Sequence, residues 1–169
     1  MFFAMLFEQA IVMPPSSLYK DLKSLLKAKL IEKVQGSVSE KYGYVICVIN
    51  VEEPSCGKIL DTSGDVLFNI KYKAIVMKPF VGEVVDGVIE KVEKYGIHVQ
   101  VGPIRVFISN TQFPSDFVYR EDNNMYESRV NSDKLKIDTE VRFRIMGVQY
   151  EGNEFHPTGT MNENYLGPL

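Results

Sequence analysis

Phe80-Val-Gly-Glu-Val-Val-Asp-Gly-Val-Ile-Glu-Lys-Val-Glu-Lys-Tyr-Gly-Ile-His-Val-Gln-Val-Gly-Pro103, running on through Ile104-Arg-Val-Phe-Ile-Ser109, decides the fold of the second half of this chain. Successive side chains of an extended backbone point to opposite faces, so Ile97, Val99 and Val101 form one apolar face while His98 and Gln100 take the other. The next run repeats the arrangement: Ile104, Val106 and Ile108 face a core and leave Arg105 and Phe107 outside. Further on, Val141, Phe143 and Ile145 alternate with Arg142 and Arg144. Gly87, Gly96, the Gly102-Pro103 turn and Gly147 cut the segment into short strands at the spacing of a small barrel. Pro157 lacks a ladder donor and is expected to break the last strand or lie at an edge. Residues 110–137 interrupt this rhythm with an Asp/Asn/Ser-rich insertion carrying Phe113, Phe117, Tyr119 and Tyr126, and loops of that length are functional or disordered.

Ahead of Lys78-Pro79, where proline separates two β runs, the pattern changes. Two short apolar strands are expected at 1–7 and 10–13. Pro14-Pro15-Ser16-Ser17 then stops extended structure and offers hydroxyl caps to a helix. Leu18, Leu22, Leu25, Leu26 and Leu30 recur at spacings of three and four, which predicts one amphipathic helix over 18–33 with Lys20, Lys23 and Lys27 off the apolar face. Residues 44–51 read as a fully buried strand, 52–65 as a loop containing Pro54, Gly57, Ser63 and Gly64, and 66–77 as a further strand. The expectation is an α+β domain over 1–78, an antiparallel sheet with one main helix, followed by an all-β barrel domain over 79–169.

The 169 residues are 45% hydrophobic and 11% aromatic, enough for two small cores. Their apolar runs are too short to cross a bilayer, so a soluble intracellular protein is expected. Cys47 and Cys56 have neither metal-ligand spacing nor the numbers for a disulfide framework, which fits a reducing compartment. The net charge of −3 argues against binding nucleic acid chiefly by neutralising phosphates. The balance is uneven: ten Lys/Arg against eight Asp/Glu in 1–78 give +2, and nine against fourteen in 79–169 give −5. No phosphate-cradling glycine loop, nucleophile elbow or paired-carboxylate cluster occurs, and His98 and His156 stand far apart with no cysteine near either. A non-catalytic binding protein without metal or cofactor is expected.

The alternation places a candidate surface. Tyr95, His98 and Phe107 could stack bases, with Lys94, Arg105 and, as further candidates, Arg142 or Arg144 holding phosphates and Gln100 beside them. A competing reading has Phe107 packed under the insertion or against a partner subunit, with the arginines only solubilising their strands.

The 80–109 segment resembles the opening of an S1 domain, an RNA-binding module of the OB fold. In that family the aromatics flanking the central glycine, and an aromatic or histidine before the Ile-Ser step, contact RNA; these positions correspond to Tyr95, His98 and Phe107. The first half narrows the resemblance. The Met1-Phe2 start, Glu8, Pro15, Gly36, Lys41-Tyr-Gly43, Val66-Leu-Phe68, Lys71-Tyr-Lys-Ala-Ile-Val76 and the closing Met161-Asn-Glu-Asn-Tyr-Leu-Gly167 are similar to the larger stalk subunits of DNA-directed RNA polymerase II. The resemblance implies a nuclear subunit that pairs with a smaller stalk subunit, docks its tip near the polymerase clamp and meets weakly held single-stranded nascent RNA. It also implies core contacts by Ser16, Ser17 and Leu18 and by Ser55, Gly57, Ser63 and Gly64. The chain departs from the family at Tyr19, where glycine is common. The equivalent subunits of polymerases I and III, or a free S1-type RNA-binding factor, remain alternatives.

Overall fold

The computed structural model describes residues 1–18, 21–131 and 133–169, and divides into two compact units, Met1–Lys78 and Pro79–Leu169. The Tyr19 departure and the expectation for Lys20 lie outside the described residues.

The first unit is an antiparallel sheet with one helix. Its strands are β1 (Phe2–Met13), β2 (Val38–Ser39), β3 (Gly43–Val51), β4 (Lys58–Ile59) and β5 (Val66–Met77), in the order β1-β5-β3-β2 with β4 on the edge of β5. Instead of two strands at the start there is one, because all twelve residues of β1 pair with β5 without a bulge. Glu8, between the two expected strands, stands opposite Lys71 on the sheet's open face, where charge is compatible with a continuous ladder. Helix α1 spans Leu22–Val34, not 18–33: Pro15–Ser17 form a 3-10 turn closed by the Ser17 amide donating to Pro14 O at 3.0 Å, and Asp21, not either serine, stands at the N-cap of α1. Leu26, Leu30 and Val34, spaced by four, are buried against Ile11, Met13, Phe68, Ile70 and Val76. Strand β3 is not fully buried. Register shifts at Val45/Cys47 and Val48/Asn50 turn side chains outward and leave Ile49 exposed.

The second unit is a closed barrel. Strands β6 (Val84–Glu93), β7 (Gly96–Val101) and β8 (Ile104–Ser109) form an antiparallel meander. The insertion then forms a small sheet of its own from β9 (Phe117–Arg120), β10 (Met125–Ser128) and β11 (Lys134–Leu135). The chain returns through β12 (Glu140–Glu151), β13 (Glu154–Thr160) and the short β14 (Gly167–Pro168). Because β13 pairs parallel with β8 and antiparallel with β12, which pairs with β6, the meander shuts on itself in the strand order of an OB fold. Ile97, Val99, Val106, Ile108, Val141, Phe143 and Ile145 fill its interior, the apolar face that alternation predicted. Pro157 does not break β13. It pairs with Val148, and the parallel register with β8 covers only Thr158 and Gly159, so on that side the proline meets no ladder.

Candidate nucleic-acid interface

Strands β7 and β8 run in a register that puts His98 opposite Phe107, Gln100 opposite Arg105 and Gly96 opposite Ser109. The two rings meet with centroids 5.1 Å apart and planes inclined by 45°. A Cβ on Gly96 would stand 2.3 Å from Ile108 O and 2.9 Å from two Phe107 ring carbons, so the phenyl ring lies over bare backbone. Gly96→Ala is therefore expected to cost about 1–3 kcal/mol in thermal or denaturant unfolding and to displace Phe107. Tyr95, in the hairpin turn between β6 and β7, is 72% exposed and presents most of its ring to solvent.

Each cation of the sequence-predicted surface meets a carboxylate. Lys94 Nζ lies 2.8 Å from Glu121, and Arg105 grips both oxygens of Glu90 at 2.7 and 2.9 Å. Arg142 donates to both oxygens of Asp86 at 2.7 Å, and Arg144 lies 3.0 Å from Glu163. The bond to Lys94 lowers the pKa of Glu121, as the bond to Arg142 lowers that of Asp86; Lys94 and Arg142 are raised in turn by the same contacts. Gln100 is exposed and donates weakly to Gly102 O at 3.3 Å. Tyr95, His98, Gln100, Arg105 and Phe107 thus share the β7–β8 sector with Lys94, whereas Arg142 and Arg144 belong to β12, which neighbours β6 and β13.

The insertion braces this surface. Tyr126 is buried, packs edge-on against Phe113 at 4.8 Å, and its hydroxyl lies 2.9 Å from the carbonyls of both Glu93 and Lys94. Burial pushes the phenol up to about 12, so the donating neutral form is kept. Because the folded value exceeds the ordinary 10, this contribution is complete below pH 10 and is lost as pH rises toward about 12. Tyr126→Phe is expected to cost about 1 kcal/mol and to remove that alkaline step from the unfolding profile.

In the first unit, β1 ends where β5 begins, with Met13 opposite Val66. The loop that holds Ser16, Ser17 and Leu18 and the one that holds Ser63 and Gly64 therefore emerge at the same end of the sheet. Ser55 is tied back to β5, its amide donating to Asn69 O and its hydroxyl accepting from Asn69 N, both at 3.0 Å. Gly57 precedes β4 on the edge of β5.

Sequence reasoning missed Glu90, Glu121, Asp86 and Glu163, the acids that hold the cations. The net −5 of the second half was the available signal, but the pairing of Arg142 with Asp86 spans 56 positions and exists only through strand neighbours. Among the described residues, no group of three or more His, Cys, Asp or Glu is placed to hold a metal ion.

Residues 78–155 match the model of the S1 RNA binding domain, and residues 9–64 match that of the SHS2 domain found in the N terminus of Rpb7p/Rpc25p/MJ0397. The class is an SHS2 domain joined to an S1 barrel, which agrees with the α+β unit followed by an S1-type barrel expected from the sequence. The chain is 36% identical to DNA-directed RNA polymerase II subunit RPB7 of Saccharomyces cerevisiae over all of both proteins. It is also 36% identical to subunit rpb7 of Dictyostelium discoideum, over all of this chain and 99% of that protein. Against DNA-directed RNA polymerase V subunit 7 of Arabidopsis thaliana it is 31% identical over 88% of each. This chain belongs to the RPB7 family of RNA polymerase subunits.

Proposed function

We propose that the protein is a non-catalytic stalk subunit of nuclear DNA-directed RNA polymerase II, that it pairs with a smaller stalk subunit and docks near the clamp, and that its barrel meets nascent single-stranded RNA. The observation that carries this reading is the 36% identity spanning the whole of both chains, with tip and barrel in the same order. Two further features support it. The loops at 16–18 and 60–65 share one end of the first sheet, as a docking tip requires. The open face of β1 leaves Phe2, Leu6 and Val12 exposed, Leu6 at 70%, and an apolar sheet face of this kind favours a protein cover. Leu6→Asp should leave the fold intact, because the side chain is already in water, and should lower recovery of the smaller subunit in co-expression pull-downs.

The barrel's neutralised cations fit a role beside the polymerase. Held near an RNA exit path, the barrel would meet RNA at high effective concentration, and weak affinity would suffice. The exposed aromatic face also favours a second reading, a free S1-type RNA-binding factor, which must hold RNA unaided. Affinity purification of the tagged protein from its own cells separates the two. Stoichiometric large polymerase II subunits with a small partner are expected; recovery of ribosomal or decay factors alone would overturn the stalk reading.

A further inference from the structure

The His98–Phe107 pair divides two open recesses, each of about 330 Å3, that differ in chemistry. On the β6 side the lining is Glu90, Lys91, His98 and Arg105, every one an ionisable side chain. On the β13 side the walls are the Phe107 ring and the Met146 thioether, and Gly147 and Gly159 leave the floor to backbone. The polar groups of this second recess are all neutral: Ser109, Thr111, Gln112 and Thr158.

The second recess has a structural cause. Strands β8 and β13 pair at only two positions, Phe107 with Thr158 and Ile108 with Gly159, and then part. Opposite them the β12–β13 register slips between Ile145 and Gly147, which turns Met146 outward to 51% exposure. Gln112 is fixed by its main chain, whose carbonyl accepts from Met161 N at 2.9 Å and Thr160 Oγ1 at 3.4 Å. Its carboxamide and the Thr158 hydroxyl have no hydrogen-bond partner among the described residues, so both can reach an occupant.

We propose that this neutral recess takes one unstacked nucleobase of the RNA, packed against Phe107 and read along its edge by Thr158 and Gln112, while the sugar–phosphate chain lies across toward Lys91 and Arg105. A phosphate placed here would meet no cation and would lose its hydration uncompensated. A base presents a flat apolar face to phenyl and thioether and a hydrogen-bonding edge to hydroxyl and carboxamide, the combination by which single-stranded RNA is read. The volume is near the lower bound of about 300 Å3 for small-ligand pockets. This inference rests on the RNA-contact reading of the barrel.

The test titrates the full-length protein with labelled oligo-A, oligo-C and oligo-U strands and with an abasic ribose–phosphate strand of the same length. The wild type is expected to rank the bases. Thr158→Val with Gln112→Ala should weaken the preferred strand by about 25-fold, about fivefold for each of the two neutral hydrogen bonds removed, level the ranking and leave the abasic strand unchanged. Both changes keep the fold, the first being isosteric and the second sparing the Gln112 carbonyl. As a readout independent of the variants, the Met146 methyl resonance of the wild type should move with the preferred base-bearing strand and not with the abasic one. Wild-type RNA binding with an unaltered ranking in the double variant, or a Met146 methyl that ignores bases, overturns the recess while the RNA reading stands. Failure of the wild type to bind any strand overturns both.

Discussion

Tyr95→Ala and Phe107→Ala are each expected to weaken binding of a short single-stranded RNA by about 5- to 150-fold, the range for one lost base–aromatic stack. The two variants test different things. Tyr95 presents 72% of its surface to water at a hairpin turn, so its removal should change unfolding by less than about 0.5 kcal/mol. A loss of RNA affinity there is a loss of contact alone. Phe107 is half-buried, lies over Gly96 and touches His98, so alanine also removes packing from the barrel wall. Phe107→Leu serves as its control, because it keeps apolar volume over Gly96 and removes the π-face. Unchanged titrations for all three would show that RNA does not cross this sector, and the competing sequence reading, in which Phe107 serves a protein contact, would take its place.

The barrel was legible because both its faces are written in alternation. Ile97, Val99 and Val101 could only point inward together, and the outward set of His98, Arg105 and Phe107 followed without any knowledge of closure. The parallel β8–β13 pair that closes the barrel was not legible, since it joins residues about fifty positions apart through two register positions. The first unit misled wherever apolar character was equated with burial. Leu18 kept helical spacing with Leu22, but two prolines and a 3-10 turn hold it outside the helix. The nearly all-apolar run of β3 signalled a strand buried on both faces, whereas two bulges expose part of it. Similarly, Phe2, Leu6 and Val12 are apolar on a face that the chain leaves open, which periodicity does not reveal. In the candidate site, the aromatic positions follow from local pattern. The carboxylates that neutralise Lys94 and Arg105 depend on which strand or insertion lies alongside.

Those carboxylates lead to the second large effect: Glu90→Gln with Glu121→Gln should tighten RNA binding and make it more salt-dependent. In the resting barrel, Arg105 and Lys94 already have anionic partners, so a phosphate can engage them only by displacing Glu90 and Glu121. The exposed pairs contribute little to stability, as ion pairs in water do, and breaking them should leave the unfolding profile nearly unchanged. Their effect on RNA is larger, because each glutamine removes a competitor and a repelling charge at once. With two more phosphates neutralised, the slope of log K against log salt should steepen by about 1.4, twice the single-strand increment of about 0.7. The pH dependence has a definite sign. The pKa of Glu121 is lowered by Lys94 from its ordinary 4.5, so the pair is complete above 4.5 and releases Lys94 only as pH falls through that lower value. The wild-type barrel should therefore show no gain in RNA affinity from release of this pair on moving from pH 8 to pH 6. An unchanged salt slope in the double variant would show that Lys94 and Arg105 never reach phosphates, leaving Lys91, stacking and base-edge contacts to carry the interaction.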